Sequence, residues 1–456
     1  MSSSDGGTTA RAAEKREMAA YAIAKAPRWI IAEAKVPQSL LRGKAPVDGE
    51  GLASVDILIE NGRIGALAPG GSLAGADSPR LTLDGAIALP LFVDAHTHLD
   101  KGHIWPRAPN PNGTFASALE TVKADRTARW SAKDVGRRME FALRCAYAHG
   151  AGAIRTHIDS IGAQTAISWP VFAATRERWL GRVALQASPL FLVDFAFDEE
   201  HMRVVEKMVD EHGSGILGAV TYAFPRLQEG LDILFALAER KGWELDFHVD
   251  ETLDPAACSL SAIARTAIDR RFAKNILVGH CCLLGVQPDD ETKRTIDLVA
   301  KANLSVVSLP MCNLYLQDRR AGLTPRRRGV TALHELKAAG VRVMIASDNT
   351  RDPFYSYGDL DMMEVWREAA RILHLDHPFE PWAPAFFSEP AAVLGLEQAG
   401  ALFAGGPADM ILTTARSFTE FFARPQSDRT ILRAGAVVDA SPPSYAELDD
   451  LEGLKP

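Results

Sequence analysis

The stretch Leu89-Pro-Leu-Phe-Val-Asp-Ala-His-Thr-His-Leu99 decides how the rest of the sequence is interpreted. It is an apolar run that ends in two histidines, His96 and His98, with one residue between them. Side chains two residues apart in a strand point to the same face. Two imidazoles on one face can supply two nitrogen ligands to one divalent metal ion, although the motif alone is a weak signal. The pattern predicts a buried strand that ends in part of a metal site.

The composition is that of an ordinary globular protein. The chain has 456 residues, of which 47% are hydrophobic and 24% are charged, which is enough for one large domain and a smaller one. A net charge of -8 argues against a general nucleic-acid partner. We also find no apolar run of membrane-spanning length and no signal peptide. Five cysteines, an odd number, indicate a reducing compartment, so we expect a cytoplasmic protein.

The middle of the chain alternates strand-like and helix-like segments. Besides the strand before His96, the strand-like segments are residues 152–157, 183–187, 217–220, 244–248, 275–279, 304–309 and 341–346. Clear helical patterns cover residues 131–149, 230–241 and 332–339. This alternation favours a parallel (β/α)8 TIM barrel, whose carboxyl-end face carries the active site. A doubly wound open sheet is the alternative, but no Gly-x-Gly-x-x-Gly motif follows the early strands.

Short strands near both ends of the chain predict a second, smaller β-domain. Asn61-Gly62 between two strand-like segments is a typical hairpin turn. We expect an N-terminal tail with a short helix in residues 1–27, and a small β-sandwich domain formed by residues 28–88 and 397–445. Residues 89–396 should form the barrel, and residues 446–456 a C-terminal tail.

Further candidate ligands and catalytic groups stand where the barrel strands should end. His248 closes one strand-like segment, His280 closes the next, and Asp348 closes the last. Any one of them could be a hydrogen-bonded core histidine or a helix-capping aspartate. Because the carboxyl ends of barrel strands meet at one face, together with His96 and His98 they predict a single site.

The order His-x-His, His-x-x-Glu, His and Asp resembles the amidohydrolase superfamily, in particular its cytosine deaminase-like branch. The resemblance covers most of the chain, including a distorted barrel with a β-domain built from both chain ends. It extends to Arg155-Thr-His-Ile-Asp159, Asn313-Leu-Tyr-Leu-Gln317-Asp-Arg, Pro325-Arg-Arg-Arg-Gly-Val-Thr331 and Asp348-Asn-Thr-Arg-Asp-Pro-Phe-Tyr355.

The resemblance implies a ligand set and a reaction. The metal ligands would be His96, His98, His248 and Asp348, holding one divalent ion, Zn2+ or Fe2+. Metal-bound hydroxide would attack the amino-bearing carbon of a cyclic amidine and release ammonia. Glu251 would carry a proton to the substrate nitrogen, His280 would orient the hydroxide, and Asp348 would accept its proton. Binuclear relatives use a lysine at the end of the fourth strand, which we align with residues 182–191, where there is none.

The residues that would contact the substrate differ from those of cytosine deaminases. In that group a glutamine in the segment Phe-Pro-Gln-Glu-Gly reads the pyrimidine, and we align it with Pro189 and Leu190, which offer no amide. Asn349 replaces a second aspartate and is similar to the related N-alkyl-triazine amidohydrolases, and Phe354 replaces a tryptophan. Gln317 is retained, either as a substitute polar contact or only to brace its loop.

Two side chains near the expected site have an open role. Lys101 follows the His-x-His motif, and we expect a solvated loop lysine, with contact to an anionic or carbonyl group of the substrate as the alternative. His157 ends what we interpret as a third strand, and it either faces the site or packs in the core.

We therefore predict a mononuclear metal-dependent deaminase of a cytosine-like aminopyrimidine, an aminopurine or an amino-triazine. An amidohydrolase that releases an alkylamine or opens a cyclic amide is the alternative, motivated by Asn349 and the apolar residues 189–191. A catalytically silent metal-binding scaffold is the third possibility. The retained Glu251 favours the deaminase. The partner is a small heterocyclic substrate, with no nucleic acid and no membrane, and homo-oligomers are common among such proteins.

Overall fold

The computed structural model describes residues 22–23, 25–75 and 77–453. They divide into two compact units. The first contains the described residues up to Val93, together with Ala148–Ala151 and Leu375–Ser441, and the second contains Asp94–Tyr147, Gly152–His374 and the described residues from Pro442 onwards. The helix predicted in residues 12–25 lies mostly outside the described residues. The domain boundaries given above stay a proposal.

Sixteen strands lie within the described residues. They are β1 (Arg28–Pro37), β2 (Leu52–Glu60), β3 (Arg63–Pro69), β4 (Arg80–Thr82), β5 (Ala88–Pro90), β6 (Phe92–Thr97), β7 (Ala151–Asp159), β8 (Ala184–Leu190), β9 (Ile216–Thr221), β10 (Glu244–Val249), β11 (Ile276–His280), β12 (Ser305–Ser308), β13 (Arg342–Ile345), β14 (Met410–Leu412), β15 (Thr430–Arg433) and β16 (Ala436–Val437).

The first unit contains two four-stranded sheets, with strand orders β3-β2-β1-β4 and β16-β15-β14-β5. The predicted hairpin is confirmed: Asn61 and Gly62 connect the antiparallel pair β2 and β3 with φ angles of 49° and 78°. Two residues with positive φ are what a type I′ turn requires. The turn thus follows from the local sequence alone.

A buried carboxylate organises one loop of the first unit. Asp56 accepts hydrogen bonds from the backbone N–H groups of Glu33 at 2.9 Å, Gly71 at 3.0 Å and Leu73 at 2.9 Å. Burial raises the pKa of Asp56, but these donors outweigh that effect and hold its pKa below the ordinary value. The ionised side chain therefore ties three backbone segments together.

The second unit carries the eight parallel strands predicted for the middle of the chain. Strands β6-β7-β8 form one sheet, and β9 to β13 form a second in sequential order. Isolated parallel bridges join the edges of the two sheets, at Leu192–Val220 and at Thr97–Asp348. The strands thus follow the order of a (β/α)8 barrel, and the predicted α/β class is confirmed.

Helices connect and cover these strands. The α-helices are α1 (Phe115–Arg129), α2 (Ala132–His149), α3 (Ala163–Arg178), α4 (Glu199–His212), α5 (Leu227–Lys241), α6 (Ser259–Arg270), α7 (Asp289–Lys301), α8 (Pro310–Leu316), α9 (Leu333–Ala338), α10 (Met362–Leu373), α11 (Ser388–Val393), α12 (Phe418–Ala423) and α13 (Asp449–Glu452). Short 3-10 helices cover Gln38–Leu40, Val193–Phe197, Cys282–Gly285, Glu380–Phe386 and Tyr445–Leu448. In the described part of the chain, none of these helices has the length and apolar character to cross a membrane.

Candidate metal and catalytic site

The His-x-His motif lies at the carboxyl end of β6, as predicted. Every residue of β6 is buried, His96 is its fifth residue, and His98 follows the strand end by one position. The backbone N–H of Asp348 donates to the carbonyl of His96 at 2.9 Å, beside the Thr97–Asp348 bridge. The first and last strands of the second unit therefore hold their functional side chains next to each other.

Four buried side chains converge at this point. The Nε2 atoms of His98 and His248 are 3.3 Å apart, and His98 Nε2 lies 3.1 Å from Asp348 Oδ1. His96 Nε2 is 3.5 Å from the same carboxylate oxygen. Gly279 of β11 makes room for this arrangement, because a Cβ atom there would lie 3.0 Å from His96 Cε1.

Several nitrogen and oxygen atoms of this cluster lack hydrogen-bond partners among the described residues, and their arrangement fits a cation instead. Within the described residues, neither ring nitrogen of His96 and neither carboxylate oxygen of Asp348 has a partner of hydrogen-bonding geometry. Burial holds the pKa of His96, His98 and His248 well below the ordinary value, so the imidazoles are neutral and keep a lone pair. Three imidazole nitrogens and one carboxylate oxygen suit zinc or ferrous iron. The residues therefore fit a divalent metal ion.

His157 lies within this cluster. Its ring centroid is 4.1 Å from that of His96 and 4.6 Å from that of His248. His157 Nε2 also lies 3.2 Å from Asp246 Oδ1, and Arg155 contacts Asp246 Oδ2 at 3.2 Å. Of the two roles left open by the sequence, His157 thus faces the site, where it is paired with a buried carboxylate.

The side-chain amide of Asn313 contacts both candidates for proton transfer, Glu251 and His280. Asn313 Nδ2 lies 2.9 Å from His280 Nδ1 and 3.4 Å from Glu251 Oε1. Asn313 itself is fully buried in α8. The sequence singled out Asn313 only as part of the resemblance, since its two contacts lie 33 and 62 residues away along the chain.

Backbone strain marks two of these positions. His280 has a φ of 68° and Asp348 a φ of 67°, a region that non-glycine residues rarely adopt. Such strain persists only where the surrounding structure enforces it, and it concentrates at functional sites. His280 is the last residue of β11, and Asp348 follows the end of β13 by three residues. The strained backbone therefore directs both side chains at the cluster.

The pKa values of Glu251 and His280 are shifted in opposite directions. Burial raises the pKa of Glu251 well above its ordinary value, and the charge of Asp348 raises it further. Burial lowers the pKa of His280 to about 4. The raised pKa favours the protonated form of Glu251, while the lowered pKa of His280 favours its neutral form.

The two polar side chains proposed for substrate binding, Asn349 and Gln317, both form hydrogen bonds within the protein. Asn349 Nδ2 donates to Asp352 Oδ2 at 2.6 Å, and Gln317 Nε2 donates to the backbone oxygen of Glu251 at 3.1 Å. Gln317 therefore does brace the segment that carries Glu251. The Phe354 ring packs edge-on against Phe115, with ring centroids 5.5 Å apart.

The alignment that placed Pro189 and Leu190 at the end of the fourth barrel strand is wrong. These residues end β8, which is the third strand of the second unit and not the fourth. Pro189 pairs with Ile158, and Leu190 pairs with Asp159. Since paired residues of parallel strands share a face, Leu190 lies on the same face as Asp159, and Pro189 lies on the opposite face.

The fourth strand is β9, which contains no lysine. After it the chain reads Phe224-Pro-Arg-Leu-Gln-Glu-Gly230. Gln228 lies on the surface and donates from Nε2 to Thr266 Oγ1 of α6 at 2.9 Å. The absence of a substrate-reading glutamine therefore stays a prediction, and residues 182–191 no longer support it, because they form the third strand.

Lys101 is buried, contrary to the expectation of a solvated loop residue. It is 4% exposed, and its Nζ lies 3.0 Å from Asp159 Oδ1 and 5.3 Å from the centroid of the Phe354 ring. The sequence around Lys101 gives no sign of this, because Asp159 lies on the neighbouring strand β7.

Comparisons with known proteins agree with this geometry. The family described as "Amidohydrolase family" matches residues 194–439. The pterin deaminase of Rhizobium rhizogenes is 49% identical over 428 residues, which cover 94% of this chain and 98% of that protein. Among solved structures, 5-methylcytosine deaminase from Klebsiella pneumoniae has a TM-score of 0.76 at 21% identity, covering 91% of this chain and 99% of that one. A zinc-bound adenosine deaminase from Xanthomonas campestris has a TM-score of 0.64 at 18% identity, covering 93% and 97%.

The family match covers more than half of the chain, and the Rhizobium relative matches nearly all of it. The strand order and the histidine-rich cluster are those expected from the sequence motifs. This chain therefore belongs to the amidohydrolase family, as a hydrolase that acts on carbon–nitrogen bonds of cyclic amidines.

Proposed function

We propose that this protein is a metal-dependent pterin deaminase, which replaces the 2-amino group of a pterin ring by oxygen and releases ammonia. The observation that carries the proposal is the 49% identity to a pterin deaminase over 94% of the chain. The convergence of His96, His98, His248 and Asp348 supports the metal dependence. Pterin is a 2-amino-4-oxo heterocycle and thus falls within the cyclic amidines predicted from the sequence.

We propose one metal ion, Zn2+ or Fe2+, held by these four side chains, because β9 offers no lysine for a second. When bound, the ion lowers the pKa of a water molecule towards ~7 and so supplies hydroxide at neutral pH. Asp348 would both contribute to holding the ion and accept the proton of the attacking water. His280, whose Nδ1 is occupied by Asn313, directs Nε2 at the attacking oxygen.

Glu251 completes the proton transfer in this proposal. It delivers its proton to a ring nitrogen next to the attacked carbon and regains one from the hydroxyl group of the resulting adduct. The proton taken up by Asp348 passes to the departing amino group, which leaves as ammonia. Burial raises the pKa of Glu251, which suits a group that carries a proton. A cytoplasmic location and a homo-oligomer remain predictions from the sequence.

Ammonia release tests the proposal. Metal-loaded protein is incubated with pterin, cytosine, guanine and an N-alkylated amino-triazine, and both ammonia and free alkylamine are measured. Release of ammonia from pterin in preference to the other rings is expected. Release of alkylamine, or ammonia only from a different ring, would replace pterin deamination by that activity.

A matched pair of variants tests the mechanism. Glu251→Gln should abolish turnover and leave the metal content unchanged, since it removes only the proton carrier. Glu335→Gln, the same change on an exposed residue of α9, should leave both unchanged. Full activity of Glu251→Gln would refute the assigned role.

A further inference from the structure

We propose that Lys101 determines substrate specificity by donating a hydrogen bond to a ring carbonyl oxygen of the substrate, the 4-oxo group of a pterin. Phe354 would pack against the ring beside it. This inference rests on the proposed function and deepens it, because it says which part of the heterocycle is recognised and by which side chain.

The first argument is that the Lys101 ammonium has more N–H donors than its ion pair with Asp159 uses. An ammonium has three N–H donors. In the described part of the chain, the one ion pair of Lys101 Nζ is with Asp159 Oδ1 at 3.0 Å. A charged group that is only 4% exposed has little water to satisfy its other donors. A substrate oxygen would satisfy one of them.

The second argument is the charge balance around Lys101. Asp159 also binds Arg126, with Arg126 NH1 2.7 Å from Asp159 Oδ2. One carboxylate thus faces two cations. The nearby Asp100 and Asp352 have other donors: Asp100 Oδ2 accepts from the backbone N–H of Asp159 at 2.8 Å, and Asp352 Oδ2 accepts from an amide at 2.6 Å. Burial lowers the pKa of Lys101, but the charges of these three carboxylates outweigh that effect and raise it. The side chain therefore stays protonated and offers only donors, which a ring oxygen accepts.

The third argument is location. Lys101 lies three residues after His98, at the carboxyl end of β6, and its charge acts on the pKa of both His98 and Glu251. Its Nζ is 5.3 Å from the centroid of the Phe354 ring. The ammonium lies over the Phe354 ring, so a heterocycle whose oxygen reached Nζ would lie beside this aromatic side chain. Lys101 thus lies close enough to His98 and Glu251 for its charge to act on both.

A comparison of two substrates tests the inference. Pterin and 2-aminopteridine differ only at position 4, where the second compound lacks the oxygen. The oxo group also changes ring reactivity, so the two rates cannot be compared directly. We therefore measure kcat/KM for pterin divided by kcat/KM for 2-aminopteridine, and compare this ratio between each variant and the wild type. Lys101→Met should reduce this ratio by roughly 10- to 100-fold, the factor expected for one hydrogen bond from a charged donor. Lys101→Arg should retain part of the preference.

Arg126→Met is the matched control, since it removes the other cation from Asp159 and leaves Lys101 in place. Its ratio should equal that of the wild type, and metal content and melting temperature are measured for all three variants. An equal loss of activity on both substrates in Lys101→Met would show a purely structural lysine and overturn the inference. Wild-type protein that deaminates neither compound refutes the proposed function, and the inference with it.

A second measurement needs no variant and applies if Lys101→Met does not fold. Wild-type protein should bind 2,4-dioxopteridine at least about 10-fold more tightly than 2-oxopteridine, as measured by calorimetry. Equal affinities would overturn the inference.

Discussion

Replacing Asn313 with alanine should slow deamination without preventing metal binding. The substitution removes the 2.9 Å contact to His280 Nδ1 and the 3.4 Å contact to Glu251 Oε1. The first is a full hydrogen bond and the second is long, so we count one bond lost, together with a buried imidazole nitrogen left unpaired. That costs about 1–3 kcal/mol. If the loss falls on the transition state, kcat decreases by roughly 5- to 150-fold.

The assay is steady-state ammonia release with pterin, with kcat and KM determined separately over a range of pH. A positioning role predicts a lower kcat, a nearly unchanged KM and a shifted pH profile, because Asn313 fixes which nitrogen of His280 carries the proton. Tyr315→Phe is the control, as it removes a polar atom from the same helix, α8, without touching Glu251 or His280. Wild-type kcat and an unchanged pH profile in Asn313→Ala would refute the reasoning.

Three further predictions concern the metal site and the first unit. His248→Ala should lower the metal content of the purified protein, whereas His377→Ala, with a side chain 83% exposed, should not; equal metal content in both would show that the ligand is misplaced. Gly279→Ala should also reduce metal occupancy, because the new Cβ would lie 3.0 Å from His96 Cε1, and normal occupancy would contradict this. Asp56→Asn should lower the melting temperature more at about pH 7 than at about pH 3, because a carboxylate with a lowered folded-state pKa stabilises the fold above its unfolded pKa and loses that effect as pH falls. An equal loss at both values would exclude the ionised form as the cause.

The sequence predicted those features that depend on residues close together in the chain. The apolar run into His96 and His98 indicated a strand with two side chains on one face, and β6 is that strand. The Asn61-Gly62 turn was equally local. The features it missed depend on distant partners: Lys101 is buried because Asp159 on β7 neutralises it.

The second error was the assignment of residues 182–191 to the wrong strand of the barrel. Residues 182–191 resemble a fourth barrel strand when read alone, but the pairing of β8 with β7 makes them the third. A segment's position in a sheet is set by its hydrogen-bonded neighbours, which local hydrophobic pattern does not specify. The misplacement assigned Pro189 a substrate contact, whereas the register puts it on the face opposite Asp159.

The bridge between Thr97 and Asp348 has a consequence for how the chain acquires its metal. The proposed ligands come from β6 and the residue after it, from β10, and from Asp348, three residues beyond β13, so the proposed site needs both the first and the last barrel strand. During synthesis, the histidines of β6 emerge some 250 residues before their carboxylate partner and can bind an ion only weakly until β13 is in place. Tight metal uptake is thus a late event that reports complete folding, and binding energy gained at that moment stabilises the assembled strands together.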